Sequence, residues 1–182
     1  EAAENNISPI ATYHTTSYKN IEISTSKTGT NSYFIYVTND WLINPRVKSY
    51  DVIAMRVDDA TISSGTQSGV QFYTTNGVTD AVNYSYQGTN MVLSSNGFGI
   101  SMNLVDAAQG FTCEIEAIVT ATSQWATVYG SYQHAMTAVT LAKSKSYTIS
   151  HNGYGKVINF ATAVQNDYDN MQGVSIELGY TA

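Results

Sequence analysis

The chain has 182 residues, of which 12% are charged, and carries a net charge of −6. Its eight Lys and Arg are scattered, which argues against nucleic acid as a partner and against attraction to an anionic membrane. The single Cys113 excludes an intrachain disulfide, and the absence of any run of about 18 apolar residues excludes a spanning helix.

In chain order, residues 1–12 are polar and predict a flexible arm. The opening Glu1 to Asn6 reads as a mature N-terminus or a trimmed chain end, and removal of a secretory leader before Glu1 is the hypothesis that follows from the first. Ile21, Ile23 and Thr25 alternate with Glu22 and Ser24 and predict a first strand, and Ser32 to Thr38 predicts its hairpin partner. A loop is expected over residues 39–45, closed by the restriction Pro45 places on Asn44. Tyr50 to Val57 is apolar on both phases of its alternation, which predicts a central strand covered on both faces.

Asn76-Gly77 is a two-residue hairpin signal between Val70–Tyr73 and Val82–Tyr86. Asn96-Gly97 is a second, joining Met91–Leu93 to the run Phe98, Ile100, Met102, Leu104. The longest alternation follows. Phe111, Cys113, Ile115, Ala117, Val119 and Ala121 take one side, while Thr112, Glu114, Glu116, Ile118 and Thr120 take the other. Cys113 therefore reads as a small buried hydrophobe.

Trp125 to Gln133 predicts a further strand, with Trp125 as core. Residues 134–142 read as one helical turn or a further strand, and their β-branched content favours strand. Short strands at 146–149 and 157–160, a brief helix at 161–164 and a closing strand at 174–180 finish the chain. About twelve short strands, with turn residues every 8 to 12 positions, predict one all-β domain over 13–182, an antiparallel β-sandwich of jelly-roll type.

Chemistry is thinly signalled. His14, His134 and His151 fit no zinc spacing, and His134 reads as bonding a backbone carbonyl at a sheet edge. Glu114 and Glu116 share one side of a strand, at a spacing that suits paired carboxylates but on a side that reads as solvent-facing. Asp58-Asp59 and Asp167 to Asn170 read as turns held by Asp side chains, with calcium as the alternative. No metal or cofactor is expected. Fourteen tyrosines and two tryptophans against five phenylalanines suit half-exposed ring positions. Trp41, Asn44, Tyr84 and Tyr86 are the candidate ligand contacts, as flat rings beside amides in the manner of sugar binding.

Three segments carry a resemblance: Trp41-x-x-x-Pro45-Arg46 leading into Tyr50 to Ile53, then Ser131-Tyr132-Gln133-His134, then Gly153-Tyr154-Gly155-Lys156-Val157. Together they resemble small secreted proteins of Gram-positive bacteria with no assigned activity, over about Lys19 to Ile158. The resemblance implies an extracellular location and a β-rich fold, and it brings no catalytic residues.

The expected function is that of a secreted or cell-surface binding module without catalysis, taking a carbohydrate or cell-envelope ligand. A wall-polymer hydrolase using Glu114, Glu116 and His134 is one alternative. A structural or colonisation protein touching other proteins through its sheet edges is another. A β-type pore former is disfavoured, because Gly65 and Gly69 interrupt the stretch at 61–74 that would have to insert.

Overall fold

The computed structural model describes residues 12–182, so all but the last residue of the expected arm lies outside the described residues. The chain opens with β1 (Tyr13–Thr15), β2 (Lys19–Gly29) and β3 (Ser32–Trp41), then crosses to β4 (Tyr50–Asp58). It returns through β5 (Ala60–Ile62), β6 (Ser68–Thr75) and β7 (Val78–Tyr84). β8 (Met91–Ser94), β9 (Gly97–Asn103), β10 (Gly110–Ala121) and β11 (Thr127–Gln133) follow. One helical turn, α1 (Leu141–Ser144), then β12 (Tyr147–Ile149), β13 (Ile158–Phe160) and β14 (Val174–Glu177) complete the order.

The fold is an antiparallel β-sandwich. One sheet, here sheet A, has the order β1-β2-β3-β10-β6-β7, with β5 also on β10. The other, sheet B, has the order β14-β11-β4-β9-β8. The inward phase of each alternation fills the space between them: Ile21, Ile23, Ile35, Val37, Cys113, Ile115 and Val119 from sheet A against Ile53, Met55, Phe98, Ile100 and Val128 from sheet B. β-branched residues suit these pleated, buried rows, and burying each such side chain contributes about 1.5–3 kcal/mol.

Sheet B is covered on its other face as well. Val52 and Ala54 point away from the first core into a second one, built from Ala135, Val139, Tyr147, Ile149, Val157, Ile158, Val164 and Tyr168. The two-sided apolar pattern of residues 50–57 thus has its predicted meaning. Gly99 lets the β12–β13 hairpin settle this close, since a Cβ there would stand 2.2 Å from Tyr147 Oη. Among the described residues sheet A has no such cover.

The Asn76-Gly77 hairpin forms as expected, with φ of 50° and 78° at the two turn residues. Several other expectations are corrected. Asn39 to Trp41 extend β3 rather than opening a loop, because they pair with Cys113, Thr112 and Lys19 across both neighbours. The expected turn Ser94 to Gly97 does join β8 to β9, with Ser95 and Asn96 as its central residues and Gly97 as the first residue of β9, where a Cβ would lie 2.4 Å from Met55 O. Trp125 is 57% exposed at the tip of a turn closed by Ala126 N donating to Ser123 O, and it is Ala126 that enters the core.

The segment 134–142 is not a strand. Thr140 caps α1, its Oγ1 accepting from Lys143 N, and Ala135 makes only an isolated bridge to Tyr168. Tertiary placement over sheet B overrides β-propensity there. Residues 161–164 form a turn, and a 3-10 turn follows at Gln165–Asp167. Among the described residues no helix is long and apolar enough to cross a membrane.

Candidate functional site

The residues singled out in the sequence go to different places. Trp41, at the end of β3, is half-buried, and its Nε1 donates to Tyr132 Oη at 3.1 Å. Asn44 is exposed in the loop beyond it, beside the exposed Leu42 and Ile43. Tyr84 ends β7 and packs against the main core; its Oη accepts from Gln71 Nε2 at 3.4 Å, and burial pushes the phenol up to about 12. Tyr86 Oη lies 2.9 Å from Ser64 Oγ. These four do not gather into one pocket. Trp41 borders one groove, with Asp40, Phe72 and Thr112, and Tyr84 borders another, with Val70, Asn83, Glu114 and Glu116.

His134 does not bond a backbone carbonyl. Its Nδ1 lies 2.8 Å from Asp51 Oδ1, and Asp51 is fully buried on the inward row of β4 with Ile53 and Met55. The same carboxylate accepts from Tyr132 Oη at 2.5 Å and from Ala135 N at 2.9 Å. Burial raises the Asp51 carboxyl above its ordinary range, and the bonds from His134, Tyr132 and Ala135 pull against that rise.

Beside this cluster the buried Lys19 pairs with Asp169, its Nζ 5.5 Å from the centre of the Trp41 ring. Asp169 is in turn clamped to β11: its Oδ1 accepts from His134 N at 3.0 Å, and its N donates to His134 O at 2.9 Å. Lys19 and Asp51 were missed in the sequence, and Asp169 was read only as a turn residue or a calcium ligand. The available signal was a charged residue on the apolar phase of an alternation, Lys19 before Ile21 and Ile23, and Asp51 before Ile53 and Met55.

Glu114 and Glu116 sit on the outer side of β10, away from the interior that holds Asp51. The trio of Glu114, Glu116 and His134 required for a hydrolase is therefore not assembled. Of the aspartates considered for calcium, Asp58 is engaged by Arg56 Nε at 3.1 Å and His151 Nε2 at 2.6 Å, and Asp169 by Lys19.

What is assembled is a face. The outward side chains of sheet A line up in rows across its strands. One row reads Tyr13, Glu22, Thr38, Glu114, Val70, Asn83. The row on one side reads Asn20, Asp40, Thr112, Phe72, Ala81, and that on the other reads Ser24, Tyr36, Glu116, Ser68. Phe34 stacks on Tyr36 with ring centres 5.3 Å apart. Thr38 Oγ1 donates to Glu114 Oε2 and Ser68 Oγ to Glu116 Oε1, each at 3.1 Å, and Thr112 Oγ1 donates to Asp40 Oδ1 at 2.6 Å. Burial, and then the charges of Glu116 and Asp40, raise the Glu114 carboxyl.

No family model and no curated protein matches the chain. Among solved structures it is similar to the collagen-binding domain of a Staphylococcus aureus adhesin, at 7% identity and TM-score 0.48, covering 90% of this chain and 97% of that one. It is similar to the collagen-binding domain of the Erysipelothrix rhusiopathiae surface protein RspB at 11% identity and TM-score 0.45, covering 91% and 46%. Its likeness to ACE19, the collagen-binding subdomain of the Enterococcus faecalis surface protein ACE, is 15% identity and TM-score 0.43, over 62% and 82%. Likeness at this level carries neither site residues nor a ligand across to this chain.

Proposed function

We propose that the chain is a non-catalytic binding module of the cell surface or the secreted space, and that it works through the outer face of sheet A. One observation carries this reading: sheet B is roofed by a second core, whereas among the described residues the six-strand path of sheet A is left open and lined with rings, hydroxyls, amides and carboxylates. Described residues that build a whole cover for one sheet and none for the other leave the second available to a partner. Trp41 and Tyr84, on the inward phase of β3 and β7, border the two grooves at the margins of this face and are its proposed flanking contacts.

The test blocks each side separately. Ser24→Cys on the open face and Thr148→Cys on the roofed side are each coupled to a maleimide-polyethylene glycol, with Cys113 buried and out of reach. Binding of the labelled chain to Gram-positive cell walls, a glycan array and immobilised matrix polypeptides is then measured. Loss of binding on blocking residue 24 alone is the expected result. Unchanged binding with residue 24 blocked, or no binding to any of these surfaces by the unmodified chain, overturns the reading.

A further inference from the structure

We propose that the open face of sheet A receives an extended, arginine-bearing polypeptide from another molecule. The inference rests on the reading of that face as the binding surface and supplies its partner. The face carries Glu22, Asp40, Glu114 and Glu116 within three adjacent rows. No Lys, Arg or His projects outward from its strands among the described residues: Lys19 and His14 lie on the inward phase, and Lys27 reaches the Tyr33 ring. The ion pairs of the described residues all lie elsewhere, at Lys19–Asp169, Arg56–Asp58, His134–Asp51 and His151–Asp58. Carboxylates gathered on one face repel one another, and the described residues place no cation there to relieve them. A cationic partner does so, and complementary charge both steers encounter and fixes register.

The spacing selects an extended chain. Glu114 and Glu116 are two residues apart on one strand, so roughly 6.5–7 Å separates them, the repeat of alternate side chains in any extended polypeptide. The rings select arginine over lysine. Tyr36 stands opposite Glu116 in the register and is stacked by Phe34, and Phe72, 40% exposed, lies in the row of Asp40. A guanidinium plane stacks on such rings while its fork meets a carboxylate, which a compact ammonium does not do. Grooves of about 300 Å³ beside Glu114 and Glu116 and about 310 Å³ beside Asp40 and Phe72 give the side chains room.

The experiment titrates the protein into a fluorescein-labelled (Arg-Ser)6 peptide and into (Lys-Ser)6, by anisotropy at low and at physiological salt. The variants are Glu114→Gln/Glu116→Gln and, as a charge-matched control, Asp59→Asn/Asp106→Asn. Glutamine keeps the acceptor that Thr38 and Ser68 use, and an unchanged thermal midpoint confirms the fold. The expected result is Arg peptide binding that weakens about tenfold in the face variant, by less than about twofold in the control, and that falls with salt. Equal loss in both variants, or equal affinity for the Lys peptide, overturns the proposal. Absence of peptide binding while blocking residue 24 still abolishes attachment to a surface also overturns it but leaves the binding-face reading standing. If blocking residue 24 has no effect on attachment, it is that reading which falls.

Discussion

His134 Nδ1 and Asp51 Oδ1 lie 2.8 Å apart, although 83 residues separate them in the chain. The contact joins the end of β11 to the start of β4 inside the sandwich, where the carboxylate also receives Tyr132 Oη and Ala135 N. Removing the acceptor strands a buried hydroxyl and a buried amide. Asp51→Ala is expected to lower stability by about 3–5 kcal/mol in urea unfolding, and Asp51→Asn by less, since an amide oxygen still accepts from Ala135. Equal stability of Asp51→Ala and the parent would refute the assigned role.

The same residue gives a pH signature. The folded Asp51 holds its proton more tightly than the unfolded chain, whose carboxyl keeps the ordinary value of 3.8. Its contribution to stability is therefore greatest below that pH and declines as pH rises through the raised folded value. Unfolding free energies measured across the acid range should show this decline in the parent and lose it in Asp51→Asn.

On the open face, Glu116 and Asp40 add to the rise that burial causes in the Glu114 carboxyl, and the bond from Thr38 opposes it. Glu116→Gln is expected to bring Glu114 down toward the ordinary carboxyl range, and Thr38→Val to push it further up. Carbon-13 NMR titration of the Glu114 side chain measures both, and a shift of the wrong sign in either variant contradicts the arrangement.

Tyr147 Oη is buried against Gly99 and has no hydrogen-bond partner among the described residues. Deleting this hydroxyl in Tyr147→Phe should leave stability unchanged or raise it by up to about 1 kcal/mol. Gly99→Ala should cost about 1–3 kcal/mol by overpacking. The double variant should recover part of that loss, because the Cβ meets Oη at 2.2 Å but Cζ only at 3.0 Å. Strictly additive effects would mean that the two residues do not press on each other.

Cys113 is fully buried, and burial drives its thiol far above the ordinary range. Alkylation by iodoacetamide should be undetectable in the folded protein and should follow the unfolding transition in urea. Rapid stoichiometric labelling without denaturant would show that β10 opens locally.

Where a two-residue alternation met a half-buried sheet, as in β10, strand and facing were legible, because period and burial agree there. In β4, apolar residues on both phases marked a strand covered on both faces, and the Asn76-Gly77 signal made the β6–β7 hairpin legible. Residues 134–142 were not, because α1 is a single turn set by where it packs and not by its own composition. Trp125 misled because size alone suggested core, while the turn at Ser123 throws it outward. The cluster of Lys19, Asp51 and Asp169 was hidden by sequence distance, although the breaks it makes in the apolar rows were in plain view. Glu114 and Glu116 were visible as a polar pair. Which face of which sheet stays open depends on where residues 135–170 come to rest, and no local pattern encodes that.

β10 lies between β3 and β6 in sheet A, with Ile115 opposite both Val37 and Gly69. A growing chain that has already made the β2–β3 and β6–β7 hairpins still holds two separate ribbons until residues 110–121 emerge to join them. Closure of this sheet thus waits on the late arrival of its middle, which places the protein among slowly folding topologies and leaves a bare apolar ribbon edge on the nascent polypeptide meanwhile.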